Sequence, residues 1–336
     1  MKILIAFVVF AVGAVALVLL YCSRMPGESA AAVPATSTDD ERAAAERMED
    51  DCLVLARNIG NRSSAKAENV SKARDYLEQR MGRSGLRPKE KPFNSRGEMG
   101  VNIESVLEGT TSAYEVVVIG AHYDTAAYTP GGDDNASGCA MLIEVGHELS
   151  KRNHDRTIEI VMFDRGASRF AGTDSSGSEV WADEAKKANK KIVAMLSLDC
   201  VGKFTDAPGS QGGPFPLTLC YPTTGNFLLF AGDFGSRELV QKCVETFRGG
   251  ASFPCEGVTL PELVPGIECS DHAAFRKRDW PAVLVTDTGS LRNTEHGQMT
   301  DSPDRLNFDR MAKAAAGLVK VVEFLARKGT ATSVMN

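Results

Sequence analysis

From about residue 46 onward the chain switches repeatedly between helical and strand periods. Residues 65–81, AKAENVSKARDYLEQRM, predict a polar helix, and short strands follow near 100–106 and 115–121 (EVVVIGA). Asn135 is placed to cap a helix running to about 152, whose apolar residues recur at helical spacing. TIEIVMF at 157–163 reads as a buried strand, a helix follows near 177–190, and IVAMLSLD at 192–199 is another strand. PAVLVTD at 281–287 adds a strand, and NFDRMAKAAAGLVKVVEFLARK closes the chain as an amphipathic helix. Strands apolar on both faces, alternating with helices, predict a single α/β domain over 46–330 with a mostly parallel central sheet flanked by helices. In such folds ligands collect at the carboxyl ends of the strands, and His122, Asp199 and Asp287 each end a strand.

The N-terminus breaks this pattern. Residues 3–21, ILIAFVVFAVGAVALVLLY, are apolar or small throughout, close to the roughly 20 residues that cross a bilayer. No small-residue cleavage site follows, so 1–24 predicts an N-terminal transmembrane helix acting as an uncleaved signal anchor. The expected location is therefore a single-pass membrane protein with its main domain outside the cytoplasm. Residues 25–45, rich in Ala, Ser, Thr, Pro and acids, read as a linker. A net charge of −6, with no basic stripe, gives no reason to expect nucleic acid as a partner. The eight cysteines include no CxxC pair, which argues against a zinc–thiolate cluster. Cys255 and Cys269 bracket a Pro-containing loop and read equally well as a disulfide or as free thiols.

The chemistry concentrates in residues 118–138, VIGAHYDTAAYTPGGDDNASG. An imidazole and carboxylates on adjacent loops form a ligand set for zinc or a similar cation. Asp124, two residues from His122, is placed to accept the ring's other N–H and fix its tautomer. Asp133 and Asn135 fit equally well as turn formers or helix caps.

GAHYDT, GGDDNASG, LSLD at 196–199, CSDHAAF and TDSPDRLNFDRMA together resemble the zinc-dependent aminopeptidases of metallopeptidase family twenty-eight over about residues 50–327. The resemblance implies a single α/β domain and two zinc ions sharing Asp134, one of them also held by His122 and Asp199. It also implies a general base followed by a Glu ligand one strand and a turn later. Those two positions fall on Gly166 and Ala167, so the base is missing and its replacement unknown. A late His ligand is implied four residues before Asp301; that position is Gly297, with His296 one residue too early. On an extended segment such a shift turns the side chain to the other face. The expectation is a membrane-anchored, catalytically impaired peptidase-fold protein that holds at most one zinc ion and binds a peptide or protein ligand. The alternative is an active metalloexopeptidase with a rearranged site, using Asp164, Asp174, Glu179 or Glu295.

Overall fold

The computed structural model describes residues 10, 13, 16–95, 97–167, 172–261 and 270–329. Eight strands form one sheet in the order β1-β2-β4-β3-β5-β8-β6-β7. They are β1 (Lys89–Ser95), β2 (Glu98–Leu107), β3 (Ser112–His122), β4 (Arg156–Phe163), β5 (Lys191–Leu198), β6 (Leu228–Asp233), β7 (Cys255–Leu260) and β8 (Ala282–Thr286). The helices are α1 (Asp39–Cys52), α2 (Ala67–Arg83), α3 (Gly138–Ser150), α4 (Gly177–Lys187), α5 (Arg237–Gly250), α6 (His272–Arg276) and α7 (Phe308–Leu325). β4, β3, β5 and β8 run parallel, in keeping with their largely apolar cores, buried on both faces. The sheet as a whole is mixed, because β2 joins β4 antiparallel and β6 joins β8 antiparallel. β1 is the outer strand on one side, mostly exposed and carrying Lys89, Glu90, Lys91 and Pro92, side chains that discourage further pairing.

Helices α1, α3, α5 and α7 bury their apolar stripes on one face of the sheet, and α4 and α6 cover the other. The expected strands and helices lie within a few residues of their predicted positions. The pair β6 and β7 with α5 between them is an addition. Its helix shows Leu239, Val240, Cys243, Val244 and Phe247 at helical spacing, all buried.

The linker expectation for 25–45 needs correction. Thr38 and Glu41 form a reciprocal capping box that starts α1 inside this stretch, and Ala44 and Ala45 are buried. Lys313, buried on α7, donates to the Thr36 carbonyl (3.0 Å), Ser37 Oγ (2.9 Å) and Glu41 (3.0 Å), which fastens the segment to the core. Most of the predicted anchor lies outside the described residues, and among those described no helix is long and apolar enough to cross a membrane. Residues 16–23 are helical, Cys22 is buried, and the Tyr21 ring meets Phe234 edge-on at 5.6 Å. Cys255 is a free buried thiol, while Cys269 lies outside the described residues.

Candidate metal centre

β3 and β5 are parallel neighbours, so their carboxyl ends open on the same edge of the sheet. This delivers His122, the last residue of β3, next to Asp199, which immediately follows β5. Asp134 arrives from the loop between β3 and α3. Gly131 starts that loop with φ +63°, and a Cβ there would lie 2.4 Å from both the Asp134 carbonyl and the Thr125 methyl. Asp301 accepts the backbone N–H groups of Asp133 (3.0 Å) and Asp134 (3.2 Å). Beneath the loop, the fully buried Arg62 donates to the carbonyls of Tyr123 (2.9 Å), Leu55 (2.7 Å), Gly60 (3.1 Å), Pro130 (2.8 Å) and Gly131 (3.0 Å). Arg62 was not singled out from sequence, and Asp301 entered there only as the landmark of its turn. Asp301 had a signal in its Ser-Pro turn, whereas nothing local marks Arg62.

The expected half-site converges. His122 Nε2 lies 3.3 Å from Asp134 Oδ1 and 3.6 Å from Asp199 Oδ2. Ligands about an ion with bonds of ~2.0–2.2 Å stand about 3.4 Å apart when tetrahedral, so the three atoms are spaced to share one zinc-like cation. The other ring nitrogen is oriented by Asp124, with a difference from expectation. Its nearer partner is the Asp124 carbonyl at 3.1 Å, and the carboxylate stands at 3.4 Å. That carboxylate accepts the backbone N–H groups of Gly166 (2.8 Å) and Ala167 (3.1 Å) instead. Burial disfavours charge on His122, but the carboxylates of Asp124, Asp134 and Asp199 outweigh it and hold its pKa well above the usual imidazole range. Asp199 is pushed the opposite way: burial would raise it, and the neighbouring His122 holds it below the usual carboxylate range.

Asp133 is not part of this cluster. Its carboxylate accepts from Gly202 N (3.0 Å) and Asn293 Nδ2 (2.9 Å), as a buried loop staple. Asn135 accepts the Gly138 N–H at 3.1 Å, close to the capping role expected of it. Asp287 also serves loops, accepting from Lys203 N (2.6 Å) and Gly289 N (2.9 Å).

The second half-site is fuller than the sequence suggested. His296 Nδ1 lies 3.8 Å from Asp134 Oδ2, on the side of that carboxylate away from His122. The expectation that His296 points elsewhere fails because the segment is a run of turns, where strand alternation does not apply. His296 N bonds to the Asn293 carbonyl (3.1 Å) and Gln298 N to the Glu295 carbonyl (2.8 Å). Gly297 has φ +69°, with open space where a side chain would stand.

No substitute base appears among the described residues. A Cβ on Gly166 would lie 2.2 Å from His122 Cβ, so a glutamate cannot be written back at 166 without moving the loop. Among the described residues, Asp134 and Asp199 are the only carboxylates lining the cavity. Asp164 accepts the Val101 N–H, Glu179 pairs with Arg278 at 2.8 Å, and Glu295 faces Arg305 at 3.4 Å and Lys203 at 3.6 Å. The cavity itself measures about 1050 Å³. The site residues stand at one end, and Leu217, Phe227, Leu229, Val258, Leu260 and Leu284 form an apolar wall.

Asp271, just before α6, is buried with neither carboxylate oxygen in a well-formed hydrogen bond. Burial pushes its pKa up to about 7, an effect that His122 and Ser178 only partly offset. The folded pKa lies above the ordinary value of about 3.9, so the stability present at acid pH is lost as pH rises toward 7. Asp271→Asn is therefore expected to raise the melting temperature of the metal-free protein at pH 8 and to change it little at pH 4. Thermal melts at the two pH values, with metal chelated, check this; equal shifts would contradict it.

The model of Peptidase family M28 matches residues 102–322. The uncharacterized protein YfbL of Escherichia coli K12 is 28% identical over 330 residues, covering 96% of this chain and 98% of the relative. A probable leucine aminopeptidase of Arthroderma otae is 26% identical over 258 residues, covering 68% of this chain and 62% of that protein's length. Among solved structures, BSAP, a zinc aminopeptidase from Bacillus subtilis, superposes with a TM-score of 0.67 at 14% identity, covering 86% of this chain and 96% of that one. The family match spans the strands that end in His122 and Asp199, the loop that carries Asp134, and the turn that carries His296. The chain belongs to peptidase family M28.

Proposed function

We propose that this protein is a zinc-binding, peptide-binding member of the family whose hydrolytic activity is strongly impaired. One observation carries the reading: the backbone of Gly166 lies against His122 where a general base would have to stand, and no carboxylate replaces it among the described residues. His122, Asp134 and Asp199 would hold the ion, which when bound polarises a carbonyl oxygen as a Lewis acid. Zinc is favoured by the nitrogen and oxygen donor set and by the solved zinc aminopeptidase that shares the fold. Losing the base alone costs a factor of ~10²–10⁴ in rate. Binding is less affected. The ion, once held, would offer a Lewis-acid partner to a peptide's neutral terminal amine, and the apolar wall suits a large aliphatic or aromatic side chain. The position of His296 favours a second reading, a working metalloexopeptidase with a rearranged site, which differs in predicting turnover. Tethering of the domain to a membrane rests on the apolar run at 3–21 alone.

Calorimetric titration of the zinc-loaded protein with a short peptide beginning in leucine checks the binding half of this reading. Binding is expected to need zinc and to weaken when the peptide is N-acetylated. Equal binding of the acetylated peptide would show that the terminal amine makes no contact with the ion.

A further inference from the structure

Asp199 is followed by Cys200, so the end of β5 delivers two potential metal ligands side by side. Cys200 is buried, but its surroundings differ from those of the core thiols. Cys52, Cys139, Cys243 and Cys255 sit in the main apolar cluster, whereas Cys200 belongs to no apolar cluster. Its Sγ lies 3.2 Å from Asp199 Oδ1 and 3.6 Å from His296 Nδ1, and the residue lines the cavity. A buried thiol used as a small apolar filler does not choose such neighbours.

We infer that Cys200 Sγ, His296 Nδ1 and Asp134 Oδ2 form a second cation site, of mixed sulfur, nitrogen and oxygen donors, beside the first. The three ligand atoms all lie within 4.8 Å of one another. Around a tetrahedral ion with a ~2.3 Å bond to sulfur and a ~2.0–2.1 Å bond to nitrogen, those two ligands stand about 3.5 Å apart. The observed Sγ–Nδ1 distance is 3.6 Å. Asp134 presents Oδ1 to His122 and Oδ2 to His296, one oxygen to each site. The thiolate is the metal-binding form, so occupation releases the Cys200 proton to solvent. A thiolate with an imidazole selects a borderline-soft divalent cation such as zinc, cobalt or cadmium over magnesium or calcium. The thiolate therefore stands in for a carboxylate ligand at Ala167. The inference rests on the preceding reading only through Asp134, which both sites share.

Cobalt titration of the full chain in a Cys220→Ser background, which removes an exposed thiol, tests the inference without using activity. Two equivalents are expected to bind, one of them with a thiolate-to-cobalt charge-transfer band in the near ultraviolet. Cys200→Ser should abolish the band and weaken that ion by more than the ~10–100-fold that losing an outer partner of a ligand costs. His296→Ala, on a half-buried turn, should weaken it similarly and guards against a Cys200 variant that fails to fold. A single equivalent without the band overturns the inference and leaves the first site standing. A band that survives Cys200→Ser overturns it as well. No bound cobalt at all overturns both sites, and a band with only one equivalent supports Cys200 while removing the ion assigned to His122.

Discussion

With His122 replaced by alanine, the protein is expected to hold one metal ion fewer and to lose it by a larger factor than any outer substitution produces. In the proposed site His122 would be the neutral nitrogen ligand, and it stands between two carboxylates, at 3.3 Å from Asp134 and 3.6 Å from Asp199. Its removal leaves two negative groups facing each other across the gap. In a buried site such a pair repels strongly, and one carboxylate takes up a proton, which removes a second ligand. Loss of a group behind a ligand costs ~10–100-fold in affinity, so loss of the ligand itself should exceed that range. Asp124→Asn falls in the smaller class, because the nearer contact to the ring is the Asp124 carbonyl, which the substitution keeps. Metal analysis after dialysis against a graded chelator series separates the two variants. Equal retention of zinc by wild type and His122→Ala would show that the ion is held elsewhere.

Arg62→Leu is expected to give the largest stability loss of any single substitution near the site, about 3–5 kcal/mol. The guanidinium is fully buried and gathers five carbonyls from the turns after α1, the β3 exit and the start of the Gly131 loop. A leucine fills part of the volume, and the Leu55 and Gly131 carbonyls keep the backbone donors Gly60 N and Ala136 N, but those of Tyr123, Gly60 and Pro130 lose the guanidinium, each at a cost of about 1–3 kcal/mol where water cannot reach. The loop that carries Asp134 loses its floor, so zinc affinity should fall together with stability. Asp301, which holds the same loop from the other side, provides the comparison: Asp301→Asn keeps one acceptor oxygen and should cost less. Denaturant unfolding of the three proteins checks the order. An Arg62→Leu variant as stable as wild type would mean that the loop carbonyls find other partners.

Much of the fold could be read from periodicity because the parallel strands are buried on both faces and the helices are not. The half-site was also legible, since His122, Asp134 and Asp199 each sit at a strand end or in a Gly-rich turn whose geometry is local. Tertiary context decided the rest. His296 was misjudged by applying strand alternation to a segment of turns, where Gly297 takes a left-handed conformation and reverses the chain. Residues 39–45 look like linker by composition, yet a capping box and the buried Lys313 turn them into the first turns of α1. The antiparallel edges could not be inferred from apolar runs, because β1 is a charged, exposed strand. Arg62 left no trace at all: its role depends on carbonyls from three separate stretches of chain. A glutamate at 166, where the resemblance implies the base, would set its Cβ 2.2 Å from His122 Cβ, a clash across 44 positions that only a shift of the loop relieves.

The central claim is that the chain keeps a metal site and lacks the base needed to use it. The most direct test is steady-state hydrolysis of leucyl-p-nitroanilide by the zinc-loaded protein at neutral pH, beside the same preparation carrying His122→Ala. The account predicts turnover lower than that of a base-bearing aminopeptidase by at least the ~10²–10⁴ that a general base contributes, with the His122→Ala variant indistinguishable from wild type. Turnover at ordinary enzyme rates of ~1–10³ per second, abolished by His122→Ala, would contradict it and establish the active metalloexopeptidase reading.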